Sequence, residues 1–254
     1  MTRIDQLLNL KNLAPSRTKA KELIDLGVVE AFLDGNWVCV KSPSQRFDPE
    51  TSLRVIDRGR LKYVSRAGLK LEGALEHFQI SVQNKSVLDI GQSTGGFTDC
   101  VLQHGAAEVL GIDVGHGQLH EKIRSDHRVR FYEGLHIKDL NQNEDILIWW
   151  KSHLDFIVID VSFISLVKVF EVLKELPKRS LNVLALVKPQ FEVGKSHLSK
   201  SGLVKDQKVL KKTLDQIREI LSEMGFESSD YYASSLLGGD GNQEFFLFAK
   251  FSNK

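Results

Sequence analysis

The fold of this chain is decided by the run Val87-Leu88-Asp89-Ile90-Gly91-Gln92-Ser93-Thr94-Gly95-Gly96-Phe97. The run begins as a short apolar strand that ends in an acidic residue, and it continues as a glycine-rich turn that opens a helix. Small residues in such a turn let a ligand approach the backbone closely. A second strand ends in Gly111-Ile112-Asp113, about 20 residues further along, where an acid can accept hydrogen bonds from ribose hydroxyls. The two segments predict a nucleotide-binding strand–helix–strand unit.

Outward from this unit, strand and helix patterns alternate from Ser65 onward, with the clearest helices at Arg66–Phe78 and Lys205–Met224. The alternation predicts an α/β fold, a doubly wound and mostly parallel seven-stranded Rossmann-like sheet. The last two strands are joined without a helix, so we expect an antiparallel hairpin at the sheet edge. The predicted strands are Ser86–Ile90, Glu108–Val114, Val129–Tyr132, Phe156–Val161, Asn182–Val187, Tyr231–Leu236 and Glu244–Phe251.

Residues 1–60 predict a separate small α+β domain, followed by the α/β domain over 61–254. The expected elements of the small first domain are two helices, a hairpin around Asp34-Gly35 and one more strand at 51–56. Ser16 is a candidate N-cap of the second helix, and Gly27 is its C-cap. The boundary is expected in the arginine-rich stretch 57–64. The predicted segments are Arg3–Leu13, Arg17–Leu26, Val28–Phe32 and Trp37–Val40.

Composition limits the function classes without choosing one. The 254 residues are 42% hydrophobic with a net charge of +1, which is typical of a packed globular protein. Residues 1–70 hold thirteen Lys/Arg and eight Asp/Glu, so this part carries +5 and fits either a polyanion partner or a solvated surface. Cys39 and Cys100 form neither a disulfide framework nor a zinc site and fit a reducing cytoplasm. Because charges interrupt Phe156–Leu173, the most apolar stretch, a membrane role has little support.

The glycine-rich turn leaves three interpretations open. It departs from G-x-G-x-x-G because Ser93 stands at the middle glycine. The turn could only allow tight helix–strand packing, or it could bind a dinucleotide or S-adenosylmethionine. Asp89 favours S-adenosylmethionine, because a carboxylate there would repel a pyrophosphate but could pair with an amino group, directly or through water. The candidate cofactor-binding residues are Asp89, Gly91, Ser93, Thr94, Gly95, Gly96, Phe97, Asp113, Val114 and Asp160.

Polar residues also stand at the ends of three other predicted strands. Asp160 and Lys188 follow apolar strands, and Glu244 opens the last strand. Because ligands bind outside the carboxyl ends of parallel strands, Asp160 and Lys188 should face the same crevice as the glycine-rich turn. A lysine in such a place can accept a proton from a hydroxyl, although a single strand-end lysine is more often only solvated. No metal-ligand cluster is visible, and no metal is expected.

Together with the runs given below, these residues make the whole chain resemble the TlyA family of ribosomal RNA 2′-O-methyltransferases, historically labelled haemolysin A. Gln92 departs from the family pattern, which has a small residue there, and a side chain pointing outward would accommodate it. The matching runs are Tyr63-Val64-Ser65-Arg66-Ala67-Gly68-Leu69-Lys70-Leu71, Ser93-Thr94-Gly95-Gly96-Phe97-Thr98-Asp99-Cys100, Gly111-Ile112-Asp113-Val114-Gly115-His116-Gly117-Gln118-Leu119, Asp160-Val161-Ser162-Phe163-Ile164-Ser165 and Leu186-Val187-Lys188-Pro189-Gln190-Phe191-Glu192.

The resemblance implies a methyltransferase sheet similar to that of FtsJ-like enzymes, with S-adenosylmethionine as cofactor. It implies a catalytic tetrad of Lys70, Asp160, Lys188 and Glu244, in which Lys188 takes up the hydroxyl proton. Ribosomal RNA or a ribosomal subunit would be the partner.

The first domain resembles the ribosomal S-four-like RNA-binding domain through Arg3-Ile4-Asp5 and Ser16-Arg17-Thr18-Lys19-Ala20. Three rival functions remain open: a non-enzymatic RNA-binding assembly factor, a haemolysin acting on membranes and an NAD-linked oxidoreductase. The candidate RNA-binding residues are Arg3, Arg17, Lys19, Lys21 and Arg66.

Overall fold

The computed structural model describes residues 1–25, 27–56, 62–176, 180–238 and 241–251, which form two units, Met1–Arg66 and Ala67–Lys254. Three predicted features fall partly outside these residues. They are the end of the second helix at Leu26, residues 57–61 of the predicted boundary 57–64, and the loop residues Gly239-Asp240 before Glu244. No helix in the described ranges is both long enough and apolar enough to span a membrane.

The described residues of the first unit form two helices and five short strands. Strand β2 pairs antiparallel with both β3 and β5, and β1 pairs with β4. The first helix is shorter than predicted, because Asn12 takes a left-handed φ of 56° and ends it. Ser16 accepts a hydrogen bond from the Lys19 amide at 3.1 Å, as expected of an N-cap. The elements are β1 (Thr2–Arg3), α1 (Ile4–Leu10), α2 (Arg17–Asp25), β2 (Val29–Leu33), β3 (Asn36–Cys39), β4 (Arg46–Phe47) and β5 (Leu53–Val55).

The second unit is an α/β fold, as predicted. Its helices are α3 (Arg66–His77), α4 (Gly96–Gln103), α5 (Glu121–Arg124), α6 (Glu144–Ser152), α7 (Leu166–Glu175) and α8 (Gln207–Glu223). Its strands are β6 (Ser86–Ile90), β7 (Glu108–Asp113), β8 (Val129–Glu133), β9 (Leu154–Ile159), β10 (Leu181–Val187), β11 (Phe226–Ser228), β12 (Tyr232–Ala233) and β13 (Phe245–Phe251).

The sheet has the order β11-β13-β10-β9-β6-β7-β8, with β12 also paired to β13. Strands β8, β7, β6, β9 and β10 are parallel, and β13 is antiparallel to its neighbours. Buried side chains of α6, α7 and α8 share one core with the sheet. On the opposite face, Phe97 of α4 stacks on Phe246 of β13, with ring centroids 6.0 Å apart. Helices therefore cover both faces, as a doubly wound fold requires.

The structure corrects the predicted last strands. The expected strand Tyr231–Leu236 is only Tyr232–Ala233, and β11 lies at the sheet edge where no strand was predicted. The last strand is not at the edge but is inserted between β10 and β11. Strand β11 has three residues and follows Gly225, whose φ is 90°. A segment so short shows no alternation of apolar and polar residues by which it could be recognised.

Candidate active site

A cavity of about 510 Å³ lies beyond the carboxyl ends of β6, β7 and β9. Its volume falls in the range of small-molecule sites. The walls are largely apolar with a few carboxylates and hydroxyls. The residues that line it are Ile90, Gly91, Ser93, Ile112, Asp113, Val114, Gln118, Leu135, His136, Ile137, Asp160, Val161, Ser162, Phe163 and Ile164.

The Asp113 carboxylate joins the two loops that flank the cavity. It accepts hydrogen bonds from the Ser93 amide at 2.8 Å and from the Gly115 amide at 2.7 Å. Each carboxylate oxygen has a second lone pair. Asp113 is therefore fixed in place and can still accept a hydrogen bond from a hydroxyl in the cavity.

Gly91 allows β6 and β9 to converge beneath the cavity. Its φ is 86°, and a Cβ added to it would overlap the backbone carbonyl of Asp160. The overlap excludes a side chain at this position, and the left-handed φ disfavours one.

The predicted cofactor residues divide into two groups in the structure. Gly91, Ser93, Asp113, Val114 and Asp160 line the cavity. The other predicted residues, Asp89, Thr94, Gly95, Gly96 and Phe97, are described but do not belong to the lining. Of these, Gly95 is the N-cap of α4 with a φ of 90°, and Phe97 is buried in the core.

Asp89 is completely buried near the end of β6, next to the cavity residue Ile90. Its Oδ2 accepts a hydrogen bond from the Thr98 hydroxyl at 2.6 Å, and its Oδ1 has no partner among the described residues. Burial raises the pKa of Asp89 to about 7; Thr98 opposes this effect, whereas Asp160 and Asp113 add to it.

The four residues of the predicted tetrad form two ion pairs. Lys188 Nζ lies 2.6 Å from Asp160 Oδ1, and Lys70 Nζ donates to Glu244 Oε2 at 2.6 Å. Burial raises the pKa of the Glu244 carboxyl; the positive charges of Lys70 and Lys188 oppose this effect and Asp160 adds to it. All four side chains are mostly buried, so their charges interact strongly.

The sheet register explains why these residues meet. Lys188 directly follows β10 and Glu244 directly precedes β13. These strands are antiparallel, with Val187 opposite Phe245, so Lys188 and Glu244 lie at the same end of adjacent strands. Asp160 follows β9, the parallel neighbour of β10 on its other side.

Sequence reasoning missed two side chains in the loop 160–165. The Ser162 hydroxyl accepts a hydrogen bond from Lys188 Nζ at 3.0 Å. The Phe163 side chain is 91% exposed, its φ is 65°, and its ring centroid lies 5.0 Å from that of Phe191. A phenylalanine with a left-handed φ is uncommon, and residues in such strained conformations cluster at functional sites. The run Asp160–Ser165 was the available signal, but it assigned no role to these two residues.

The predicted RNA-binding residues of the first unit partly share one cleft. Arg3 and Arg17 both bind the buried carboxylate of Asp5, at 3.0 and 2.8 Å. Lys21 lines the same cleft, whereas Lys19 does not. Arg66 is the first residue of α3. Over the described part of the chain, no three His, Cys, Asp or Glu side chains lie together as a metal site.

The chain is similar over most of its length to proteins named as methyltransferases. Residues 63–251 match the model of the family described as FtsJ-like methyltransferase. The chain is 41% identical over 246 residues to "Putative rRNA methyltransferase YqxC" of Bacillus subtilis, covering 96% of this chain and 84% of that protein. It is 38% identical over 248 residues to the Mycobacterium tuberculosis 16S/23S rRNA (cytidine-2′-O)-methyltransferase TlyA, covering 98% and 89%. A solved structure titled "Putative hemolysin", from Streptococcus thermophilus, has a TM-score of 0.73 and 36% identity, covering 99% of this chain and 89% of that one.

Proposed function

The chain belongs to the FtsJ-like methyltransferase family, and we propose that it methylates the 2′-hydroxyl of a ribose in ribosomal RNA. The names of its relatives support ribosomal RNA as the substrate and the ribose 2′-oxygen as the methylated atom. The observation that carries the proposal is the pair of 2.6 Å ion pairs, Lys188–Asp160 and Lys70–Glu244, beside the cavity. The proposed setting is the cytoplasm, where reduced thiols such as those of Cys39 and Cys100 persist.

The cofactor is S-adenosylmethionine, and the residues of the cavity suit it. Val114, Leu135 and Ile137 offer apolar surface for an adenine ring, and Asp113 offers acceptors for ribose hydroxyls. Asp160 places a negative charge on the side that faces Lys188. When bound, this cofactor supplies a methyl group carried by a positively charged sulfonium.

Methyl transfer requires the attacking oxygen to be aligned and to lose its proton. Alignment at near-attack distance supplies much of the acceleration. In our proposal Lys188 Nζ accepts the hydroxyl proton, while Asp160 and Ser162 hold the amine in place. With the cofactor bound, the Asp160 carboxylate would be shared between Lys188 and the positive charge of the sulfonium. Lys70 and Glu244 orient the ribose and tune the coupled charges.

Phe163 supports an unpaired nucleotide as the substrate. Its exposed ring stands at the rim of the cavity and is held by Phe191. A free aromatic face stacks on any base, a contact worth about 1–3 kcal/mol. A base stacked there would bring its own ribose toward Lys188.

The first unit, which contains the predicted domain 1–60, is proposed to hold structured RNA. Arg3, Arg17 and Lys21 surround one open cleft, and guanidinium groups fixed by Asp5 suit phosphate oxygens. Lys19 and Arg66 remain part of the proposed surface. Ribosomal RNA, free or within a subunit, is the proposed partner.

Substitutions of Lys188 test the mechanism. Lys188→Ala should abolish methyl transfer to ribosomal RNA, because no group remains to take up the proton, and S-adenosylmethionine affinity should change little. Lys188→Arg is the matched control, because arginine keeps the positive charge but stays protonated. It should be inactive as well. Turnover and cofactor binding by isothermal titration are measured on the same preparations, and undiminished turnover in either variant would remove Lys188 from the mechanism.

A further inference from the structure

Gln92 occupies a place that the sequence did not predict. Its side chain points inward rather than outward and is 5% exposed. The amide Nε2 donates a hydrogen bond to the Thr98 hydroxyl at 2.9 Å. Thr98 in turn donates to Asp89 Oδ2 at 2.6 Å. The three side chains form one buried hydrogen-bonded chain that ends on the acid of the glycine-rich turn.

Gly111 makes room for this arrangement. It pairs with Asp89 in the register of β6 and β7, and its φ lies outside the left-handed region. The backbone conformation therefore does not require glycine. A Cβ at this position would overlap the side-chain amide of Gln92, so an alanine here would force that amide to move. Gln92 and Gly111 are complementary.

The direction of the hydrogen bonds follows from the groups involved. A threonine hydroxyl has one proton and can also accept. Because the Gln92 amide nitrogen can only donate, the Thr98 oxygen accepts from it and its own proton is left for Asp89. A hydroxyl that accepts a hydrogen bond also becomes a stronger donor. Gln92 thus strengthens the hydrogen bond that Asp89 receives.

We propose that Gln92 is a positioning residue of the cofactor site, which acts through Thr98 to keep the Asp89 carboxylate ionised for the amino group of S-adenosylmethionine. This inference rests on the proposed cofactor role of Asp89. The charged groups that act on Asp89 are Asp160 after β9 and Asp113 at the end of β7, and both oppose its ionisation. The side-chain hydroxyl of Thr98 and, to a smaller extent, its backbone amide favour the charged form.

The test is the pH dependence of S-adenosylmethionine binding to the full chain. Gln92→Met keeps the approximate volume but removes the donor. Its dissociation constant should be about tenfold weaker than that of the wild type near pH 6, for an upward pKa shift of about one unit. The two proteins should bind equally near pH 9. Thr98→Val removes the donor to Asp89 itself and should move the profile in the same direction.

A second variant separates this role from simple packing. Gly111→Ala should expel Gln92 and lower the melting temperature. Combining it with Gln92→Ala should restore the melting temperature while keeping the altered pH profile. Weakening by the same factor at every pH, or an unchanged profile in Gln92→Met, would overturn the inference. A wild-type protein that binds no S-adenosylmethionine at any pH would instead overturn the proposed function, and this inference with it.

Discussion

Burial of Asp89 disfavours the ionised carboxylate that the proposed contact with the cofactor requires. Its pKa is raised by burial to about 7, from 3.8 in an unfolded chain. Between these values the folded protein holds a proton that the unfolded chain has lost. The contribution of Asp89 to stability is therefore fully present below about pH 4 and is lost as the pH rises through about 7.

Asp89→Asn should remove this dependence. Asparagine carries no charge, so the variant does not lose stability through ionisation at this position. In the absence of cofactor, the free energy of unfolding of the variant minus that of the wild type should therefore increase by up to roughly 3 kcal/mol from pH 5 to pH 8. Denaturant unfolding of both proteins at the two pH values measures the difference. Parallel pH profiles would show that Asp89 is ionised throughout. The same variant should lose affinity for S-adenosylmethionine.

Single residues were predicted unevenly. Asp160 and Lys188 could be found from the strand-end rule, since each directly follows an apolar strand. Lys70 stands within a helix, and only the family resemblance pointed to it. Its partner Glu244 is 174 positions away in the chain. Phe163 was missed because its exposure depends on a left-handed φ, which hydrophobic periodicity does not report.

At the scale of elements, the parallel strands were predictable because each is a short apolar run with an acid or a lysine at its end. The place of β13 was not. Its apolar residues show that it is buried, but they do not say which strands flank it. The antiparallel insertion between β10 and β11 sets the position of Glu244 beside Lys188, so the local pattern could not give this part of the site.

Glu192 links the start of helix α7 to the loop 160–165 of the candidate active site. This carboxylate accepts hydrogen bonds from the Leu166 amide at 2.8 Å and from the Ser165 hydroxyl at 2.7 Å. Ser165 is the N-cap of α7 and ends the loop that carries Asp160 and Phe163. Glu192 therefore satisfies the free amide at the helix start and fixes the loop.

Glu192→Ala should lower the free energy of unfolding by about 1–3 kcal/mol, because a buried helix amide loses its acceptor. The Michaelis constant for RNA should rise more than that for S-adenosylmethionine, since Phe163 depends on this loop. Glu192→Gln keeps an acceptor for the Leu166 amide and should lose less on both measures. Equal losses for alanine and glutamine would contradict the role given to the Leu166 contact.

At the scale of the whole molecule, charge is divided unequally along the chain. Net charge is only +1, yet residues 1–70 carry thirteen basic and eight acidic side chains. This excess of basic residues fits a polyanion partner and also fits a solvated surface, so the sequence alone did not decide between them. In our proposal, the cleft lined by Arg3, Arg17 and Lys21 binds phosphate groups.

Arg17→Ala should weaken binding to ribosomal RNA and reduce the slope of log affinity against log salt by about one. A phosphate contact releases about one counterion from the RNA, so the loss of one contact reduces the slope by about one. Arg218→Ala is the control, because Arg218 also forms an exposed 2.8 Å ion pair, with Asp230 of the second unit. A salt slope that is equal in Arg17→Ala and the wild type would show that the cleft does not bind RNA.

The most direct measurement is a map of 2′-O-methyl groups in ribosomal RNA after incubation with S-adenosylmethionine and the purified protein. The wild type should create new alkali-resistant positions, and Lys188→Arg should create none while still binding the cofactor. Methyl groups placed on bases, or a full set of 2′-O-methyl sites made by Lys188→Arg, would contradict the account.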